Sequence, residues 1–452
     1  MDLDDDACYR AIQVRDRRFD GRLFIAVTST GIYCRPICPA RTPKRENSRF
    51  YATAAAAQEA GYRPCLRCRP ESCPDLAFWR GTSNTVSRAL DLIEGGALDN
   101  GDVDSLAARL GMGERQLRRL FKQHLGAAPI SVAQTRRVLL AKKLIHETRL
   151  PMIEVAMAAG FGSVRRFNET FQRLYRRPPG ALRRGNAPEA SAGSAGEVSL
   201  RLPYREPYDW PAMLTALAAQ AIPGIEAVDE RSYARTIALD GATGTIRVAP
   251  GDGAFAEVTV RFARLRSLPS IIARIRRVFD FAADPVVIGQ QLAEDPLLAP
   301  LIERRPGLRV PGAWDGFELA LRTVLRDARA LSALVAKHGV FPDPGQLDAT
   351  RDLPAAVRPL VRAFAAGQLE DADAIAAHGV PPAVARYIAA WHRREPDAFD
   401  AGDAELARAV AALGGDPRDL AARAERWRPW RAYAAAHLVS IDIEASHARR
   451  AA

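Results

Sequence analysis

Four of the six cysteines in this 452-residue chain fall in two close pairs. "STGIYCRPICPART" (29–42) holds Cys34 and Cys38, and "RPCLRC" (63–68) holds Cys65 and Cys68. Thiolates so spaced suit a tetrahedral site for a soft cation. Each pair closes on the metal from one tight turn, and the 26 residues between the pairs bring the chain back to complete it. With no histidine in the set, Zn²⁺ is the favoured ion. A dithiol redox pair is the alternative chemistry, for which a lone Cys-x-x-Cys would be the usual sign. On spacing alone, a closed four-cysteine site holds a fold together. Cys8 and Cys73 stand outside the pairs.

A second group of residues suits a polyanion. From Glu114 to Arg184 there are 16 Lys or Arg against four Asp or Glu, a balance of +12 in a chain whose net charge is +11. Such a block is an electrostatic footprint for nucleic acid, because each neutralised phosphate releases counterions. A solvated basic face is the alternative. Within it, "DVDSLAARLGMGERQLRRLFKQHLG" (102–126) and "MIEVAMAAGFGSVRRFNETFQRLYRRPPG" (152–180) share one layout. A short apolar-periodic helix meets a turn at Gly111 or Gly160, and a second, cationic helix follows. Leu117, Leu120 and Phe121 match Phe167, Phe171 and Leu174 as core-facing positions. Arg115, Gln116, Arg118 and Arg119 then face outward in the first copy, and Ser163, Arg165, Arg166 and Asn168 in the second. Two helix-turn-helix units joined by a helix over 130–148 fit this pattern. Arginine can read guanine and asparagine can read adenine, so the exposed set suits base recognition as well as phosphate contact.

The elements that must hold these residues occupy a chain long enough for about two to four domains. "RRGNAPEASAGSAGEVS" (183–199) reads as a flexible linker, and "WRGTSN" (79–84) as a weaker boundary. Beyond 200, "SYARTIALD", "GTIRVAP" and "AFAEVTVRF" alternate as antiparallel strands, and from about residue 268 the pattern is mainly helical. The expected fold class is multidomain α+β. A small zinc domain spans 1–80, an all-α double helix-turn-helix domain 84–185, a linker 186–199, an α/β subdomain 200–300 and an all-α domain 301–452. The acidic N-terminus lacks the pattern of a signal peptide, and no run reaches the roughly 18 apolar residues of a membrane span. A cytoplasmic location with reduced cysteines is expected, without a membrane partner.

Three stretches resemble known families. "DGRLFIAVTSTGIYCRPICPARTPKRENSRFYATAAAAQEAGYRPCLRCRP" (20–70) resembles the N-terminal module of Ada-type alkylation-response proteins, with both cysteine pairs in register. That resemblance implies that Cys34 is both a zinc ligand and the acceptor of a methyl group from a methylphosphotriester in DNA. It also implies that Thr30, Arg41 and Arg63 lie against the DNA. The helix-turn-helix region resembles the DNA-binding domain of AraC-type activators, through Ala156, Gly160 and Phe161 and the terminal "RRPPGALRR", although Gly113 stands where Ser or Thr often caps the helix. Promoter DNA and RNA polymerase are the partners this implies.

From residue 200, "PYDWPAML", "SYAR", "RPGLRVPGAWDGFELALRTVL" and "AERWRPWRAYAAAHL" resemble AlkA-type glycosylases of the helix-hairpin-helix class. The resemblance implies excision of alkylated bases such as 3-methyladenine, with Asp403 as the carboxylate and Gly379 in the DNA-binding hairpin. As a bland alternative, Asp403 is a helix cap before "AELARAV". The family pattern is altered at Pro381, Ala383 and Val439, and the usual Gly-Gln-Gln-Val-Ser stretch is missing after Leu325. The resulting expectation is a repair-and-response protein acting on double-stranded DNA, both alkylated and promoter. Its alternative is a zinc-stabilised regulator with a non-catalytic glycosylase-like domain.

Overall fold

The computed structural model describes residues 4–74, 84–183, 196–325, 328–348, 353–355, 357–365, 376–377, 380, 385 and 396–440. The chain divides into two compact units, one of Met1–Pro203 with Phe255–Ala273, the other of Tyr204–Ala254 with Arg274–Ala452.

The first unit opens with α1 (Asp5–Gln13), whose capping residue Asp4 accepts the N–H groups of Asp6 and Ala7. Strands β1 (Phe24–Val27), β2 (Ile32–Cys34) and β3 (Ser48–Tyr51), helix α2 (Ala54–Glu59) and strand β4 (Arg63–Pro64) follow. The sheet runs β3-β1-β2-β4, antiparallel except where β4 joins β2 in parallel. Alternation along β1 decides what covers each face. Ile25 points to the side of Cys8 and Ile12 on α1, whereas Phe24 and Ala26 pack with Tyr33 and Ala57 of α2.

Seven helices then run α3 (Asn84–Glu94), α4 (Ala97–Asn100), α5 (Val103–Arg109), α6 (Glu114–Leu125), α7 (Pro129–Glu147), α8 (Met152–Ala158) and α9 (Val164–Tyr175). The turn glycines Gly111 and Gly160 have φ of +69° and +87°, a region where a Cβ is strained. At Gly160 space is also missing, since a Cβ would stand 2.2 Å from Oδ2 of Asp99. Leu117, Phe121, Phe167 and Phe171 are buried, while Leu120 and Leu174 are half-buried. Helix α7 is the surprise: Lys142 and Lys143 are buried beside its apolar residues.

Next come β5 (Glu197–Pro203), α10 (Trp210–Ala219), β6 (Glu226–Val228), β7 (Tyr233–Leu239), β8 (Ala242–Pro250), β9 (Phe255–Phe262) and α11 (Leu268–Val278). In the first unit β5 pairs antiparallel with β9, from Glu197↔Arg261 to Pro203↔Phe255. This strand takes up Glu197–Ser199, the last residues of the expected linker, because Val198, Leu200 and Leu202 alternate into a buried face. In the second unit β6, β7 and β8 form antiparallel ladders, with Tyr233 opposite both Val228 and Val248.

The other regular elements described in the second unit are helices. They include α12 (Pro285–Leu292), α13 (Ala299–Arg304), α14 (Gly316–Leu325), α15 (Ala328–Val335), α16 (Pro344–Asp348), α17 (Arg358–Ala365), α18 (Ala404–Ala412) and α19 (Leu420–Ala424). One apolar cluster gathers Phe317, Leu321, Leu347, Leu360 and Phe364, and another Leu292, Leu406, Val410, Trp427 and Leu438. The architecture is thus a small sheet-and-helix module, an all-α double helix-turn-helix, and an α/β region leading into helices. Among the described residues no helix is long and apolar enough to cross a membrane.

Candidate metal centre and nucleic-acid interface

Strand pairing brings the two cysteine pairs together. The parallel register Tyr33↔Pro64 sets the end of β2 beside the end of β4, and the N–H of Cys65 donates to the Tyr33 carbonyl at 3.0 Å. Cys38 lies on the turn after β2, where its N–H donates to the Arg35 carbonyl at 3.1 Å. The Sγ atoms of Cys34, Cys38, Cys65 and Cys68 all lie within 4.8 Å of one another. Four soft donors within reach of a single cation fit Zn²⁺, as the spacing predicts.

The four sulfurs are not equivalent. Cys65 and Cys68 are buried, while Cys34 and Cys38 are half-buried. The N–H of Arg67 donates to Sγ of Cys65 at 3.3 Å, and the N–H of Arg35 to Sγ of Cys68 at 3.4 Å. Among the described residues no backbone N–H donates to Sγ of Cys34. Hydrogen bonding from Cys34 draws Cys38 down to about 7 and Cys65 further still, while Cys34, hydrogen-bonded to Cys38, is pushed up. Metal binding releases such shared protons and leaves thiolates. Behind the sulfurs, the Arg35 guanidinium donates to both Asp20 oxygens and, at 3.3 Å, to the Cys68 carbonyl.

The residues expected at DNA are distributed around this centre and along two helices. Thr30 is exposed on the turn between β1 and β2, and Arg41 is exposed beyond Cys38. Arg63 is half-buried on β4, its guanidinium 5.7 Å from the ring centroid of Tyr175 on α9. Arg115, Gln116, Arg118 and Arg119 on α6 are exposed, as are Arg165, Arg166 and Asn168 on α9. Arg118 pairs with Glu114 and Arg165 with Glu169, each through Nε at 2.8 Å. Ser163 is half-buried and caps α9, accepting the N–H of Arg166 at 3.2 Å.

Four cations of the basic block have another fate. Arg136 and Arg137 of α7 converge on Asp99 at 2.6 and 2.8 Å, Lys142 pairs with Glu71 at 2.7 Å, and Lys143 with Glu147 at 3.0 Å. Sequence reasoning counted them with the DNA-facing charge. The signal that marks them is their setting among Ala133, Val138, Ala141, Leu144 and Ile145, which are apolar on more than one helix face.

In the second unit Asp403 is exposed and caps α18, its carboxylate accepting the N–H of Glu405 at 2.7 Å. Gly379, Pro381 and Ala383 lie outside the described residues. Val439 is partly buried against the Trp427 cluster. The "PYDW" stretch builds an aromatic group, with Tyr208 and Trp210 against Phe281 and the Tyr208 hydroxyl donating to the Phe279 carbonyl at 2.7 Å.

A four-thiolate module, paired helix-turn-helix units and a glycosylase-like region together define a DNA-binding alkylation-response protein. Family models match in the same order: the metal binding domain of Ada over residues 7–71, a helix-turn-helix domain over 106–185, and the AlkA N-terminal domain over 199–315. The chain belongs to the family of bifunctional transcriptional activator/DNA repair enzymes. It is 39% identical to the probable bifunctional transcriptional activator/DNA repair enzyme AlkA of Mycobacterium tuberculosis, over 97% of this chain and 96% of that one. It is also similar to the bifunctional activator/repair enzyme Ada of Escherichia coli, at 38% identity over 28% of this chain and 34% of the relative. Similarity to DNA-3-methyladenine glycosylase 2 of Escherichia coli is 28% over 52% of this chain and 95% of the relative.

Proposed function

We propose that Cys34 accepts a methyl group from a DNA methylphosphotriester and that this change in charge alters how the helix-turn-helix units hold DNA. The observation that carries the reading is the inequality of the four clustered sulfurs, with half-buried Cys34 spared the N–H donors that quench Cys65 and Cys68. Bound through Cys34, Cys38, Cys65 and Cys68, zinc keeps the sulfurs as thiolates at neutral pH. The Cys34 sulfur attacks the methyl carbon, an S–C bond forms and the C–O bond breaks. The departing electron pair stays on the phosphate oxygen, which becomes a diester anion, and no proton moves. A phosphotriester is neutral, so the anionic sulfur meets no repulsion at the damaged position. Methylation then removes one negative charge from a centre facing the DNA backbone, which favours binding.

In this reading Thr30, Arg41 and Arg63 contact the damaged strand. Arg115, Gln116, Arg118 and Arg119 on α6, with Ser163, Arg165, Arg166 and Asn168 on α9, contact promoter DNA, and RNA polymerase is the partner at the promoter. The functional divisions are those of the sequence, at 1–80, 84–185, 200–300 and 301–452. Incubation with phosphate-methylated DNA is expected to add the mass of one CH2 group, located on Cys34 by peptide mapping. The same mass on another residue, or unchanged protein, overturns the assignment.

A specific observation supports a narrower role for the C-terminal region. The Asp403 carboxylate is engaged as a helix cap, whereas a glycosylase needs it free to stabilise positive charge on a flipped nucleotide. Release of 3-methyladenine by wild type and its loss in Asp403→Asn would establish excision. Absence of release from wild type would leave this region as a DNA-binding module.

A further inference from the structure

We infer that Lys142 is a positioning residue that couples the zinc-binding turn to the helix-turn-helix domain through one rigid helix. Its side chain is 0% exposed, and its Nζ donates to the Cys65 carbonyl at 2.6 Å and to Oε2 of Glu71 at 2.7 Å. Arg69 donates to the other Glu71 oxygen at 3.3 Å and to Glu147 at 3.1 Å, and Lys143 donates to the same Glu147 oxygen at 3.0 Å. Charges from the cysteine turn and from α7 thus close a ring on both ends of the last two turns of the helix. Arg69 adopts a left-handed backbone conformation, φ 52°, directly after the ligand Cys68. Such a conformation persists in a non-glycine residue where its surroundings hold it.

Helix α7 also reaches the DNA-reading part. About one and a half turns before Lys142, Arg136 and Arg137 hold the Asp99 carboxylate. That carboxylate fills the space a Cβ would need at Gly160, the turn glycine ahead of α9. Helix α7 therefore joins the buried contacts at the ligand-bearing turn to half-buried contacts beside the turn that precedes a recognition helix. Other ties keep the two modules in register. The Thr53 hydroxyl donates to the Leu125 carbonyl at 2.8 Å, and Glu59 accepts the N–H of Ala128 at 2.8 Å. Among the described residues, α7 meets the ligand-bearing turn through Lys142 on the Cys65 carbonyl and through Arg69, next to Cys68, on Glu147, so this ring is what can transmit a change at the sulfurs.

This inference rests on the methyl-acceptor reading above, and the test separates the two. The full chain is exposed to phosphate-methylated DNA, and its affinity for a short mixed-sequence duplex is measured by fluorescence anisotropy before and after. Lys142→Met combined with Glu71→Leu removes both charges and leaves neither orphaned, so folding and zinc content should stay at wild-type level. The methylation-dependent gain in affinity should then shrink at least about fivefold, the lower range of measured site-to-site coupling. A gain equal to that of wild type in this double variant overturns the coupling while leaving the acceptor reading intact. Where the double variant loses zinc, Arg69→Gln decides: its side chain is one-third exposed, and an unchanged gain there overturns the inference equally. A wild-type chain that takes up methyl without any gain overturns the coupling and leaves the acceptor standing, whereas one that takes up none overturns both.

Discussion

Helix α7 and the recognition helices α6 and α9 carry the same residue types and use them in opposite ways. On α9 the Arg165 side chain is 88% exposed and on α6 Arg118 is 47% exposed, whereas Lys142 and Lys143 of α7 are 0% and 5% exposed. The exposed pairs are interchangeable: Glu114 and Glu169 hold their arginines in water and can release them to phosphate at little cost. The buried pairs are not. A cation taken out of water must find an acid, and buried Lys142 and Lys143 each have one, as do the half-buried Arg136 and Arg137. The difference teaches that a basic block is two populations, one that binds a partner and one that holds the scaffold, and that counting charge does not separate them.

The largest expected effect tests the buried population. Lys142→Met alone should destabilise the first unit by up to about 3 kcal/mol, because it leaves the buried Glu71 carboxylate with only the longer Arg69 contact at 3.3 Å to offset its charge. A shift in thermal unfolding below about 1 kcal/mol would show that water reaches the pair, and the two populations would merge.

Next is a buried base without an acid. His437 is held down at about 4, chiefly by burial and then by the Arg305 charge. Its unfolded value is near 6.5, so between these values the unfolded chain binds a proton that the folded chain refuses. Stability is therefore present above pH 6.5 and falls as pH drops towards about 4, by up to about 3 kcal/mol. Unfolding followed by tryptophan fluorescence across that window should slope in wild type and flatten in His437→Leu. An equal slope in both would mean that other groups carry it.

The smallest effect on stability belongs to the exposed set. Arg165→Ala should change unfolding by less than about 0.5 kcal/mol. It should still lower DNA affinity and reduce the slope of binding against log salt concentration by about one unit. A stability loss comparable to that of Lys142→Met would erase the contrast between the helices.

The zinc site was legible because its chemistry is local. Two cysteine pairs, each on one turn, declare a tetrahedral site whatever folds around them. The helix-turn-helix repeat was legible for a similar reason, since Gly111 and Gly160 mark turns that demand positive φ and the apolar period marks the face between them. Strand β5 was hidden behind the Ala-, Gly- and Ser-rich stretch before it, and its alternation acquires meaning only against β9. Asp403 stayed ambiguous for a different reason, because a cap and a catalytic carboxylate look alike along the chain.

By itself the sequence determined which residues can bind metal, which turns need glycine and which helix faces are apolar, all of which depend on residues within a turn or two of each other. The tertiary structure decided which charges are hidden. Lys142 meets Glu71 across 71 residues of chain, and Arg136 meets Asp99 across 37. Arg63 lies over Tyr175, on another module. Burial is a property of what packs against a residue, and these partners are brought together only by folding.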